Sequence, residues 1–77
     1  MVTRKLFNSI DEIQRIQYYA TLSPEDVGFH SPSGDVIVDA KSFIGLFALD
    51  FSKPILVVSE DEHFHNQIKN IGENVAD

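Results

Sequence analysis

The sequence predicts an α+β domain whose elements follow one another in the order β-α-β-β-α-β-α. Three observations support this prediction. Apolar residues recur at helical spacing between Ile10 and Ala20. Runs rich in β-branched residues, at 36–38 and 55–58, have the composition and length of strands. Pro and Gly turn signals separate these segments, so we expect the helices on one face of an antiparallel or mixed sheet.

The N-terminal half is expected to hold one helix and three strands. Residues 2–7 form the first strand, and the charges of Arg4 and Lys5 favour an edge position for it. A helix is predicted from residue 10 to about 21 after an Asn8-Ser9 cap, because the residues Ile10, Ile13, Ile16, Gln17 and Ala20 follow helical spacing. The remaining elements are a turn at 23–26, a strand at 27–30, a turn at 31–34 and the return strand of a hairpin at 35–39.

The C-terminal half is expected to hold two helices and one strand. A helix is predicted from about Ser42 to Leu49, and after a connection at 50–53 the strand at 55–59 follows Pro54. The last helix starts at an acidic segment, 60–62, which suits the helix dipole. Its buried residues are Phe64, Ile68 and Ile71. Gly72 is expected to end it, and residues 73–77 are expected to fray.

Composition limits the classes of function. The chain has 77 residues, enough for one domain spanning 1–77, with 43% hydrophobic residues and a net charge of -6. This acidity argues against nucleic acid and against an anionic membrane surface as partners. There is no signal-peptide core and no apolar run of membrane-spanning length, so a cytoplasmic location is expected.

Catalytic signatures are not found in the sequence. It contains no cysteine, which excludes disulfides, thiolate chemistry and Cys-based zinc sites. It has no Gly-rich phosphate loop and no nucleophile motif, and a chain this short has little room for a deep pocket. We therefore expect a protein that is not an enzyme and that carries no cofactor or resident metal.

One segment resembles a known family. Residues 38–49 read VDAKSFIGLFAL, with a Lys-Ser pair, two apolar residues, a glycine and further apolar residues. This pattern, between a turn at Pro32-Ser33-Gly34 and the strand at 54–59, resembles the HPr family, the histidine-containing phosphocarrier proteins of the bacterial sugar phosphotransferase system. The order of elements agrees over nearly the whole chain, and the sequence from about Gly34 to Val58. The resemblance implies a four-stranded antiparallel sheet covered on one face by three helices.

The chain departs from that family where the phosphate would be carried. The family's phosphoacceptor histidine lies between the first strand and the first helix, in a motif that also holds an arginine and a proline. Here the junction reads KLFNSIDE, with Asn8 and Ser9 at its centre and Asp11 and Glu12 beside them. These carboxylates would repel a phosphoryl group. We therefore expect a divergent member in which this junction has lost the phosphocarrier chemistry.

Three histidines remain as alternative phosphoacceptors or metal ligands. His30 is expected near a strand end, away from any helix N-terminus. His63 and His65 lie in the first turns of the last helix, beside acidic residues that disfavour a phosphoryl group. Asp61 and His65 have i, i+4 spacing and could share a metal ion, but two ligands are too few for a recognisable site. The favoured interpretation is a solvated acidic helix start with incidental histidines.

Ser42 stands at the head of the apolar segment. Serine is among the best N-cap residues, and this structural role is the favoured interpretation. The resemblance adds an alternative, because in the Gram-positive branch of the family the matching serine is a regulatory phosphorylation site. A phosphate there would meet the helix dipole, although Asp39 would repel it.

The apolar segment after Ser42 has more apolar residues than one buried stripe needs. Leu46, Ala48 and Leu49 are assigned to the core. Phe43, Ile44 and Phe47 form a second group, which matches positions that dock on partner enzymes in the HPr family. We expect this trio to be at least partly exposed and to form a docking patch. The alternative is that the small domain tucks these side chains under a loop or under its last helix.

Three functions therefore remain open. The first is a histidine-less, HPr-like regulatory or protein-binding module of the phosphotransferase system family, with phosphotransferase-system or kinase proteins as partners. The second is a phosphocarrier that uses an atypical histidine. The third is a homo-oligomer whose patch is buried across a symmetric interface.

Overall fold

A computed structural model describes residues 1–76 of the chain. They form an α+β domain with five strands, two α-helices and one short 3₁₀ helix. In chain order the elements are β1 (Val2–Leu6), α1 (Ile10–Leu22), β2 (Val27–His30), β3 (Ile37–Asp39), the 3₁₀ helix (Ile44–Ala48), β4 (Ile55–Ser59), α2 (Glu62–Ile68) and β5 (Glu73–Asn74). The predicted fold class and the antiparallel sheet are confirmed.

The sheet has the strand order β3-β2-β4-β1-β5, and every pair of neighbours is antiparallel. β4 lies at its centre, with Val57 opposite both Thr3 of β1 and Phe29 of β2. Because side chains alternate along a strand, this register places Phe29 and Val57 on the same face.

The core lies on that face, between the sheet and both helices. Alternate residues of β2 and β4 are buried there, as are the inward positions of α1 and α2. The core includes Ile13, Ile16, Ala20, Val27, Phe29, Ile55, Val57, Phe64 and Ile68. Phe29 has edge-to-face contacts with Phe7 and Phe51. Ile10, the first of the residues at helical spacing, is 64% exposed at the first turn of α1.

Side-chain caps define the start of each helix. Ser9 Oγ accepts a hydrogen bond from the Glu12 N–H at 3.4 Å, and Glu12 Oε1 accepts from the Asn8 N–H at 2.6 Å. This reciprocal pair resembles a capping box. It differs in one bond, because the Glu12 carboxylate accepts from the N–H of Asn8, one residue before the cap residue Ser9, rather than from that of Ser9 itself. α2 begins after Asp61, whose Oδ1 accepts from the Phe64 N–H at 3.2 Å. Both caps agree with the acidic first turns seen in the sequence.

The fifth strand corrects two predictions. Residues 73–74 were expected to fray, but they pair with Lys5 and Leu6 as β5, and the Val75 N–H donates to the Arg4 carbonyl at 2.9 Å. β1 is therefore not an edge strand. The physical reason is Gly72, whose φ of +76° reverses the chain and returns it to the sheet.

The helix expected from about Ser42 to Leu49 is only a short 3₁₀ helix, so the implied arrangement of four strands and three helices is not matched. The predicted span was 42–49, but only Ile44–Ala48 is helical. The Leu46 N–H bonds to the Phe43 carbonyl and the Leu49 N–H to the Leu46 carbonyl, at the three-residue spacing of a 3₁₀ helix. Gly45 weakens any longer helix, and Leu49 is already extended at φ -109°.

Two other elements, the return strand of the hairpin and the last helix, are shorter than predicted. The return strand begins at Ile37 rather than at residue 35, because the turn after Ser31 extends to Val36, whose carbonyl accepts from the Ser31 N–H. α2 ends at Ile68 rather than near Gly72. Ile71 still reaches the core, although it lies in the turn after the helix.

Candidate functional site

The segment that resembles the HPr pattern is held on the domain by hydrogen bonds to its backbone. The Ala40 N–H donates to the Val27 carbonyl at 2.8 Å, and Ala40 is completely buried. From α1, Gln17 Nε2 donates to the carbonyls of Ala40 and Ser42, each at 3.2 Å. A buried side chain of the helix therefore fixes the point where the chain leaves β3.

A tight turn carries the chain from β3 into the 3₁₀ helix. The Lys41 N–H donates to Asp39 Oδ1 at 2.9 Å, and the Ser42 N–H donates to the Asp39 carbonyl at 3.0 Å. Ser42 Oγ accepts from the Gly45 N–H at 3.3 Å. A Cβ on Gly45 would lie 3.3 Å from Val38 Cβ, so the glycine allows the turn to pack closely on β3.

Ser42 is thus a side-chain cap, but of a 3₁₀ turn rather than of an α-helix. The residue immediately before the helix is Phe43, which already has helical backbone angles and no capping side chain. The hydroxyl of the half-buried Ser42 is occupied by the Gly45 N–H. The alternative role of Ser42 as a phosphorylation site stays a prediction.

The 3₁₀ helix separates its apolar side chains into two groups. Leu46 is buried and Leu49 is half-buried against the core, whereas Ala48 is exposed, so its assignment to the core was wrong. Residues three apart lie above one another in a 3₁₀ helix, which places Ile44 and Phe47 together on the solvent side.

We call Phe43, Ile44 and Phe47 the apolar patch. Their side chains are 54%, 80% and 82% exposed, and the rings of Phe43 and Phe47 meet edge to face with centroids 6.5 Å apart. The predicted exposure of the trio is confirmed, and the alternative of rings tucked under a loop or under α2 is wrong. That the patch docks a partner stays a prediction.

The junction around Asn8 and Ser9, which was predicted to be a degenerate phosphocarrier site, forms a helix cap. Asn8 and Ser9 are both exposed, and side-chain oxygens already accept the N–H groups of Asn8 and Glu12. Phe7 lies behind them in the core. The backbone donors that would cradle an anion at a helix start are therefore partly occupied by the chain's own groups.

A buried lysine lies close to this junction and was missed in the sequence. Lys5 has no exposed surface, and its Nζ donates to Asn74 Oδ1 at 2.8 Å. Burial lowers the pKa of the Lys5 ammonium below its usual range, and the nearby Glu12 carboxylate partly offsets this effect. Alternation along β1 was an available signal, because Lys5 stands two residues before the core residue Phe7.

His65 is a buried structural residue rather than an incidental, solvated one. Its Nε2 lies 3.0 Å from the Ser59 carbonyl, and its Nδ1 lies 2.7 Å from Thr3 Oγ1. Because a carbonyl only accepts, Nε2 carries the proton and Nδ1 accepts from the threonine hydroxyl. Both ring nitrogens of His65 are therefore engaged in hydrogen bonds within the fold. His65 is placed neither to take a phosphoryl group nor to share a metal ion with Asp61.

Asp61 is likewise engaged within the fold. Its Oδ2 accepts from the Ser23 hydroxyl at 2.6 Å, while Oδ1 caps α2. The Ser23 hydrogen bond is the main cause that lowers the pKa of Asp61. Nowhere in residues 1–76 do three histidine, aspartate or glutamate side chains gather in a way that could hold a metal ion. His63 is exposed and His30 half-buried, so these two remain chemically accessible.

Comparison with known proteins adds no relative. No protein-family model matches the chain, and neither the curated proteins nor the solved structures give a significant match. The HPr resemblance therefore rests on the residues quoted above. Within the described part of the chain, no helix is long and apolar enough to cross a membrane.

Proposed function

We propose that this protein is a divergent, HPr-like protein-binding module that docks on a partner through the apolar patch and has no phosphocarrier activity. The observation that carries the proposal is the exposure of Phe43, Ile44 and Phe47 on a turn whose backbone is held from three sides. An exposed aromatic pair on such a turn has the composition of an interface anchor.

The anchoring of the turn favours docking over an accidental exposure. Gln17 and Ser42 hold the backbone, and Leu46 holds the turn on the core, so the patch does not need to be ordered when it binds. A surface that is ordered beforehand loses less entropy on association. By the resemblance, the candidate partners are phosphotransferase-system proteins or a kinase in the cytoplasm of a bacterium.

Affinity capture with matched variants tests this proposal. The immobilised wild-type chain is compared with Phe47→Asp, which places a charge at the centre of the patch, and with Ile10→Asp, which places one at an exposed apolar position on α1. We expect one partner to be retained by the wild type and by Ile10→Asp and to be lost with Phe47→Asp. Retention of the same proteins by all three chains would contradict docking through the patch.

A phosphocarrier that uses an atypical histidine is the second candidate, because His63 is exposed. The sign of the surrounding charge opposes it, since Asp61 and Glu62 are its close neighbours in sequence. Labelled phosphoenolpyruvate and the first enzyme of the phosphotransferase system separate the two candidates. We expect no stable label on the protein. Label that His63→Asn removes would establish the phosphocarrier instead.

The role of Ser42 is tested separately. We expect Ser42→Ala to lose the cap on the Gly45 N–H, which makes this amide exchange faster with solvent. Incubation with a family kinase followed by intact mass measurement decides whether Ser42 is also a phosphorylation site. An added phosphate on the wild type that is missing from Ser42→Ala would show regulation at the edge of the patch.

A further inference from the structure

The sheet face opposite the helices is open and carries its own apolar surface. The strand register places alternate residues of four strands on it, and its apolar members are Val2, Leu6, Ile37, Leu56 and Val58. Val2 and Ile37 are 60% and 64% exposed, and the other three are half-buried. Both α-helices and the 3₁₀ helix contribute their buried residues to the opposite face. Within residues 1–76, no helix or further sheet therefore covers the open face.

A depression lies over Gly28 near one corner of the open face. Gly28 stands between Val58 of β4 and Asp39 of β3 in the register, and it has no side chain to fill the space. The His30 ring borders this space, because a Cβ on Gly28 would lie 3.0 Å from His30 Nε2. Ile37 and Val58 supply the apolar lining.

The charges around the depression have one sign. Asp26, Asp39 and Glu60 all line it, and among its described lining residues there is neither lysine nor arginine. The whole chain carries a net charge of -6, which adds to the negative potential. Arg4 lies on the same face, but two strands away from His30 in the register, across Leu56. The open face thus combines an acidic corner with a mainly apolar surface that also holds Arg4.

We propose that the open sheet face binds a cationic amphipathic helix of a partner protein. The four strands are spaced about 4.8 Å apart, and the longest of them, β1 and β4, are about 17 Å long, so a helix of roughly 12–14 residues, 18–21 Å long, can cover the face. The apolar stripe of the helix packs on Val58, Leu56 and Ile37. Its lysine or arginine side chains meet the carboxylates of the corner.

A second copy of this chain fits the face less well. A symmetric dimer repeats the same patch on both partners, so around the corner each copy adds three carboxylates and no compensating cation among the lining residues. Like charges brought together in this way oppose association. Charge complementarity therefore favours a basic partner over self-association, and none of the residues that line this site belongs to the apolar patch.

Synthetic helices test the proposal on the full chain. The probe is a peptide of about fourteen residues with leucines at i, i+3, i+4 and i+7 spacing and lysines elsewhere. One control peptide replaces every lysine with glutamate, and the other scrambles the order to remove the leucine stripe. Backbone amide shifts of the isotope-labelled protein report where each peptide binds. We expect the lysine peptide alone to bind, with the shifts concentrated at Gly28, Ile37, Asp39 and Val58.

Single substitutions at exposed positions sharpen the test without endangering the fold. Glu60→Lys reverses one rim charge and should weaken binding about fivefold. Ile37→Lys places a cation on the apolar lining and should weaken binding further. Leu22→Lys is the matched control, because Leu22 is 59% exposed on α1 and away from this face, and it should bind with unchanged affinity.

Several results would overturn the proposal. They are an absence of binding, equal binding of the glutamate or scrambled peptide, and shifts confined to the apolar patch around Phe47. Equal weakening by Ile37→Lys and Leu22→Lys would also refute it, because the effect would then follow net charge alone. A concentration-dependent dimer in light scattering that Ile37→Lys dissociates would assign the face to a second copy instead.

Discussion

Gln17 offers the sharpest test of how the segment from Ala40 to the apolar patch is held in place. Its amide is the only side-chain group of α1 seen to bond this segment within the described residues, and it donates to both the Ala40 and the Ser42 carbonyl at 3.2 Å. Replacement by leucine keeps a side chain of similar length and helix propensity but removes both donors. Gln17→Leu therefore isolates the two hydrogen bonds.

The expected loss of stability follows from these contacts. A neutral hydrogen bond contributes about 1 kcal/mol net, and a buried acceptor left without its partner costs about 1–3 kcal/mol. The Ala40 carbonyl belongs to a completely buried residue, whereas Ser42 is only half-buried and its carbonyl can be partly rehydrated. The added apolar contact of leucine offsets part of the loss. We expect Gln17→Leu to lower the free energy of unfolding by about 2 kcal/mol, or Tm by roughly 8–16 °C.

Denaturant unfolding and amide exchange measure the two consequences. The control is Gln14→Leu, the same substitution on the same helix at an exposed position, which should change the free energy of unfolding by less than about 0.5 kcal/mol. In Gln17→Leu, the Ser42 and Gly45 amides should exchange faster than in the control. A stability loss equal to that of the control, with unchanged exchange at these amides, would refute the idea that Gln17 positions the patch.

Three further predictions concern the rest of the framework. The pKa of the buried Lys5 is lowered from 10.5, so between that lowered folded value and pH 10.5 the unfolded state binds more protons than the folded state. Across this window the wild type should gain stability as pH rises, and Lys5→Met should lack this gain in denaturation curves measured at several pH values. The pKa of Asp61 is lowered from 3.8, so the stability that its ionised carboxylate contributes is present above that value and is lost as pH falls through the lower folded value. Asp61→Asn should therefore flatten the acid limb of the same curves. Gly72→Ala should lower the free energy of unfolding by about 1 kcal/mol or more, and by more than Gly34→Ala does. Both glycines have positive φ, but only at Gly72 would the new Cβ meet a neighbour, Phe7 at 3.3 Å. Equal losses of stability in thermal unfolding would contradict this contact.

Local patterns accounted for most elements of the domain. The helical spacing and the caps predicted α1 within one residue at its C-terminal end, and the run at 55–59 predicted β4. These features depend on neighbours in sequence, such as Ser9 with Glu12 and Asp61 with Phe64. The exposure of the apolar patch followed in the same way, from a surplus of apolar residues over one buried stripe.

The errors lie where distant segments decide the structure. β5 has only two residues, and it exists because Gly72 turns the chain towards the unpaired side of β1. The same pairing moves β1 away from the edge of the sheet. The segment at 44–48 also packs closely on β3, where a Cβ on Gly45 would lie 3.3 Å from Val38 Cβ, and no local pattern contains this contact.

The sequence by itself determined the α+β class, the acidic character and the apolar excess of the patch, because these depend on composition and on spacing along the chain. Only the tertiary structure decided that Lys5 and His65 are buried with partners and that, within residues 1–76, an apolar sheet face with an acidic corner is left uncovered. Burial and strand order depend on which segments meet in space. These tertiary contacts depend on the packing of the whole core rather than on any local stretch of sequence.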